Sequence, residues 1–119
     1  MNLILVALGG ALGAVCRYGI SLLPCKVNYP ILTLVTNICG AILIGFIVGI
    51  SMNRGWSSQW VLFWKTGVCG GFTTFSTFSL ESMQLLDEGR YLAGGSYMGL
   101  SLVCCLVGVI LGQRIADCM

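Results

Sequence analysis

The sequence predicts an all-α membrane protein of four transmembrane helices, the third broken near its middle. Three observations predict it: the composition, four long apolar runs, and one run interrupted by glycines and hydroxyls. The 119-residue chain is 57% hydrophobic and only 8% charged, with a mean hydropathy of +0.95. Soluble domains carry about 25% charged residues, and a chain of this size cannot bury so much apolar surface in a core of its own. A spanning helix takes about 20 predominantly apolar residues, and four such segments fit, at about 3–23, 31–52, 59–86 and 91–112. Together they make one membrane domain over residues 1–119. The links "LPCKVNYP", "NRGWSS" and "DEGR" are short and carry turn chemistry.

The first segment has a rival reading as a cleaved signal peptide. The start "MN" is not a basic leader region, and the first positive charge is Arg17. Along one face of this helix Gly9, Gly13 and Arg17 recur every fourth residue. The second segment carries a longer stripe of Thr33, Asn37, Ala41, Gly45 and Gly49. The fourth has Tyr97, Ser101, Cys105 and Gly108 in a similar line. Small residues at this spacing let membrane helices approach closely, which accounts for the glycines. Asn37 needs more, because an unpaired amide in hydrocarbon costs on the order of 2–7 kcal/mol. It either glues helices together or faces a wet path. Arg17 and Lys65 either mark function at membrane depth or snorkel to the interface. A β-barrel is not expected, since the runs do not alternate apolar and polar residues.

The third segment holds "GGFTTFSTFSLES", Gly70 to Ser82. Adjacent glycines weaken a helix by about 1 kcal/mol each, and the hydroxyls that follow compete for backbone hydrogen bonds. A break near Gly70 to Thr73 is expected. Unwound backbone at this depth is tolerated only inside protein or beside water, and its free carbonyls suit a cation. Beyond the break, helical spacing puts Phe75, Phe78, Ser79 and Ser82 on one face, and Thr74, Thr77 and Glu81 on another. The edge of an aromatic ring is positive, so a Phe pair beside hydroxyls can touch a small anion. The same stripe is also compatible with plain core packing.

There is no histidine, so imidazole acid–base and metal chemistry is excluded. The seven cysteines form no CxxC pair; thiols inside spans read as small apolar residues. No enzyme is expected. Arg54, Lys65 and Arg114 fall with the termini and second loop, and Arg17, Lys26 and Arg90 with the other two loops. This three-against-three tie gives the positive-inside rule nothing to act on. It is either the noise of a small count or a sign of dual topology, in which two copies insert oppositely and pair antiparallel.

The segments "GGALGAVCRY" (9–18), "TLVTNICGAILIG" (33–45) and "GGFTTFSTFS" (70–79) resemble the signature segments of the Fluc/CrcB fluoride channels, in order. The resemblance implies an antiparallel dual-topology homodimer in the cell membrane with two fluoride pores and a structural sodium ion at its centre. It implies passive export of cytoplasmic fluoride. By the same resemblance, Asn37, Phe75, Ser76, Thr77, Phe78, Ser79, Tyr97 and Ser101 line the pore. Arg17 stands at a vestibule, and the carbonyls of Gly70 and Thr73 hold the sodium. Glu81 occupies the family's third-helix carboxylate position. Thr36 and Lys65 depart from the family pattern. The implied partners are fluoride, a second copy of the chain and membrane lipid, with no nucleic acid. A paired heterodimer with a second, oppositely oriented subunit is the other arrangement the family uses.

The competing function is a proton-coupled exporter of the small multidrug resistance type, also four-helix and often dual-topology. Its mechanism needs a buried carboxylate in the first span, and residues 3–23 contain no Asp or Glu. A purely structural subunit leaves Asn37 and the hydroxyl cluster without a purpose.

Overall fold

The computed structural model describes all 119 residues, Met1–Met119. Every regular element is helical. Helix α1 spans Asn2–Ser21, α2 spans Ile31–Arg54 and α6 spans Tyr91–Asp117; each is long and apolar enough to cross a membrane. Between α2 and α6 the chain crosses in pieces: α3 (Ser58–Val61), a π-helical stretch (Leu62–Cys69), α4 (Gly70–Phe72) and α5 (Phe75–Asp87). The molecule extends 49 Å along its longest axis, against about 40–45 Å for a bilayer with its headgroups.

The turns are written in the sequence. Gly55 and Gly89 are the two positions with left-handed φ, +62° and +76°, a conformation that costs glycine nothing. Each closes a Schellman-type cap, with Trp56 N donating to Ser51 O and Arg90 N donating to Leu85 O. Ser57 caps α3, its side chain accepting from Trp60 N.

Small residues set the packing. A Cβ on Gly112 would collide with the Ile42 carbonyl oxygen, and one on Gly45 with that of Val109. Helices α2 and α6 therefore cross at backbone contact, with Ala41 and Gly108 continuing the seam. The second close pair is α1 against the π-helical stretch. There a Cβ on Gly9 would sit 2.6 Å from Phe63 O, and one on Gly67 2.9 Å from the Gly9 Cα. In both pairs the contacting residue numbers rise together, so α1 runs parallel to the third crossing and α2 parallel to α6. Apolar side chains such as Leu3, Val15, Leu92 and Leu102 point outward, as expected when lipid rather than water covers the surface.

The break lies slightly beyond the expected place. Gly70 and Gly71 remain helical, and the backbone becomes extended only at Thr73 (φ −84°, ψ 157°) and Thr74 (φ −146°, ψ 120°). The reason is packing: a Cβ on Gly71 would strike the Gly10 carbonyl, so this glycine serves the approach of α1 and the threonines serve the break. The π-helical widening before it was not expected at all.

Candidate functional site

The extended residues at the break lose their helical hydrogen bonds, and side chains from other elements replace them. Asn37 on α2 pairs with the Thr74 peptide in both directions: its Nδ2 donates to Thr74 O at 3.2 Å, and Thr74 N donates to its Oδ1 at 2.9 Å. Arg17 on α1 donates from Nε to Gly71 O at 3.2 Å. Thr73 Oγ1 donates to Cys69 O at 2.8 Å. Thr74 Oγ1 caps α5, accepting from Thr77 N at 3.1 Å. Its own proton goes to Thr77 Oγ1, and Ser76 Oγ lies 3.3 Å away.

The carbonyls of Gly70 and Thr73 at the break accept no hydrogen bond from a turn, a loop or a side chain, and neither does that of Phe72. Gly70 is exposed, with open space where a Cβ would be. Carbonyl oxygens are donors for a hard cation, and those of Gly70 and Thr73 are chemically suited to that role. No cluster of three His, Cys, Asp or Glu side chains offers an alternative metal centre.

On the side facing α6, an open cleft of about 390 Å³ is lined by Asn37, Thr73, Thr74, Phe75, Phe78 and Ser101, with Ala41, Ile44, Cys105 and Val109. Phe75 and Phe78 stack with centroids 5.5 Å apart and planes inclined at 42°. Phe78 continues onto Tyr97 at 5.3 Å and 47°. Phe75 is 78% exposed, while Tyr97 is fully buried and donates to Glu81 Oε1 at 3.3 Å. Ser101 Oγ is the buried side-chain polar atom left without any partner. Ser101 and Asn37 both line this cleft, and the Ser101 hydroxyl and the second Nδ2 proton of Asn37 have no partner within the chain.

A separate cavity of about 70 Å³ lies on the α1 side, lined by Arg17, Ser21, Thr33, Thr36, Thr74 and Thr77. Thr74 lines both spaces. Thr36 is buried but satisfied within its own helix by Leu32 O at 2.7 Å, so its hydroxyl is tolerated where an apolar residue was expected. Lys65 is exposed on the π-helical stretch.

The sequence-derived residues thus gather around one break. Asn37, Phe75, Phe78 and Ser101 share a cleft, Tyr97 stands behind Phe78, and Thr77 is across from it with Arg17. Ser76 and Ser79 are exposed, and Ser79 spends its proton on Phe75 O. Sequence reasoning missed Thr74 as the clamped residue. Its signal was available: a threonine three residues before Thr77 at a helix start. The Arg17–Gly71 contact had no sequence signal beyond the shared helical face.

These features define a class: a multi-pass α-helical membrane protein whose third crossing is bent at a hydroxyl-rich turn braced by an amide and a guanidinium. Residues 4–113 match the family described as CrcB-like protein, Camphor Resistance (CrcB), and the chain belongs to that family. A fluoride-specific ion channel FluC of Clostridium perfringens is 46% identical over 117 residues, 95% of this chain and 91% of the relative. One of Ruminiclostridium cellulolyticum is 43% identical over 120 residues, 98% and 92% of the two chains. Fluoride-specific ion channel FluC 1 of Listeria monocytogenes is 44% identical over 115 residues, 94% of each.

Proposed function

We propose that this protein is a fluoride-selective channel of the cell membrane that lets cytoplasmic fluoride leave passively. Hydrogen fluoride crosses the bilayer neutral and ionises inside, so a pore selective for the anion relieves the accumulation without a pump. The observation that carries the reading is the single cleft lined by the Phe75–Phe78 pair together with Ser101 and Asn37, two residues with unspent donors. Ring edges and neutral donors replace water around a small anion without gripping it as a fixed charge would. The relatives, 43–46% identical over nearly their whole length and bearing the fluoride-channel name, support the same reading. Nothing favours a proton-coupled drug exporter, whose first-span carboxylate is missing.

In this reading Asn37, Phe75, Ser76, Thr77, Phe78, Ser79, Tyr97 and Ser101 line the pathway and Arg17 stands at its vestibule. The working unit is an antiparallel homodimer with two pores. Its support is the balance of basic residues, the open cleft at the exposed Phe75 and the exposure of Gly70 at the break, surfaces that a second copy would cover. The two carbonyls of Gly70 and Thr73, doubled by that copy, would give four oxygens to a structural sodium ion at the centre. Sodium there supplies charge to hold the two breaks together.

Purified protein in liposomes is expected to release fluoride electrogenically and chloride hardly at all. Equal chloride release rejects the assignment.

A further inference from the structure

Tyr29 belongs to the link between α1 and α2, a segment from which no residue was placed in the pathway. The fold brings it back onto the site. Its ring meets that of Tyr97 edge to face, with centroids 5.8 Å apart and planes at 86°. Its hydroxyl lies 3.1 Å from Ser96 Oγ. With Ser96 Oγ donating to Ala93 O at 3.0 Å, its lone pairs are open to accept from Tyr29. The Tyr29 ring is therefore fixed at both ends, by a ring face or edge and by a directed hydrogen bond.

Three ring contacts then run in series, Phe75 to Phe78, Phe78 to Tyr97 and Tyr97 to Tyr29, at 5.5, 5.3 and 5.8 Å. The series starts in the cleft at the break and ends at a second open cavity of about 500 Å³. Tyr29 lines that cavity together with Glu81, Gln84, Glu88 and Arg90. Glu81 is also the acceptor of the Tyr97 hydroxyl. Tyr97 thus touches Phe78, Glu81 and Tyr29, with Thr33 also at its hydroxyl, and of these only Tyr29 comes from a loop.

We propose that Tyr29 is a positioning residue of the pore: pinned by Ser96, its ring holds Tyr97 against Phe78 and fixes the end of the ring series at the cavity mouth. The inference rests on the channel reading above. Without Tyr29, Tyr97 is free to turn about its side-chain torsions into the mouth cavity, and the Phe78 ring loses the partner that sets its tilt. Loop residues carry function where a rigid scaffold positions them, and here the loop positions the scaffold's own side chain.

The test is fluoride efflux from liposomes by wild type, Tyr29→Leu, Tyr29→Phe, Ser96→Ala and the double variant Tyr29→Phe with Ser96→Ala, each checked for wild-type elution as a folded oligomer. Tyr29→Leu is expected to lose roughly tenfold in fluoride flux, the scale of one lost ring contact in a barrier. Tyr29→Phe and Ser96→Ala, which release the pin but keep the ring, should each lose about threefold, and their combination should lose no more than either alone. If Tyr29→Leu does not assemble, the pair of mild variants decides: equal, non-additive losses support the proposal, and unchanged or additive losses overturn it. A conducting wild type with a Tyr29→Leu that conducts equally well overturns the role of Tyr29 alone. A wild type that passes no fluoride overturns the channel reading and this inference with it.

Discussion

Replacing Asn37 by alanine removes both hydrogen bonds that hold the Thr74 peptide, the donor to its carbonyl at 3.2 Å and the acceptor for its N–H at 2.9 Å. Neither group has another partner. A buried polar group left unsatisfied costs about 1–3 kcal/mol. Two such groups at a half-buried position therefore put the loss at about 2–4 kcal/mol. Asn37→Asp keeps an acceptor for Thr74 N but presents a carboxylate oxygen to Thr74 O, so it recovers less than half of that. The measurement is reversible unfolding in mixed micelles on titration with SDS, run beside fluoride efflux on the same preparations. Alanine is expected to lower both stability and flux, with aspartate between alanine and wild type in stability. A stability for Asn37→Ala within about 0.5 kcal/mol of wild type would show that water satisfies Thr74. The bracing of the break by α2 would then be wrong.

Phe75→Ile and Phe78→Ile keep apolar bulk and remove the ring edge; each should cut fluoride flux about tenfold while the oligomer elutes unchanged, and undiminished flux removes the ring-edge role. Gly112→Ala forces a methyl between the Ile42 carbonyl and Phe46 N, backbone atoms that cannot swing aside, and should cost about 3 kcal/mol. Gly99→Ala, facing open space, should cost nothing in the same unfolding assay and calibrates it. If the proposed dimer holds a central sodium, exchange into sodium-free buffer with a bulky organic cation should reduce flux or dissociate it; an assembly that stays intact and fully active there excludes the central ion.

What could be read from the sequence was the part governed by single-chain rules. Apolar run length marked α1, α2 and α6, and the spacing of Ala41 and Gly45, and of Gly108, marked faces for close packing without saying that α2 and α6 pair. The cost of an amide in hydrocarbon singled out Asn37, but that argument names no partner, and most of the amide's capacity turns out to be spent on Thr74. The glycine pair pointed to the right neighbourhood for the wrong reason: Gly71 accommodates α1, and threonines make the break. The π-helical stretch Leu62–Cys69 has no periodic signature, because its apolar residues satisfy an α-helical reading equally well. Tyr29 was invisible for a different reason. Its partners lie 67 and 68 positions away at Ser96 and Tyr97, and no local pattern encodes a contact of that kind.

The hydroxyls around the break divide into spent and unspent, and the division explains why so much polarity is carried into a bilayer. Thr73, Ser79 and Ser82 return their protons to carbonyls of their own segment, which keeps a frayed helix satisfied where no water is guaranteed. Thr74 closes the α5 N-terminus. Only Ser101 is buried and wholly without a partner, and it sits on a different helix, opposite the Phe pair in the same cleft. A hydroxyl kept for packing would have found a carbonyl within one turn, as Thr36 does with Leu32 O. Leaving Ser101 unpaired carries a desolvation cost of about 1–3 kcal/mol that no contact in the fold offsets. In the proposed function, a cleft occupant that reached this hydroxyl would offset the cost. Ser101→Ala should therefore leave the protein at least as stable as wild type while lowering fluoride flux. A variant that instead unfolds more easily would mean the hydroxyl is structural after all.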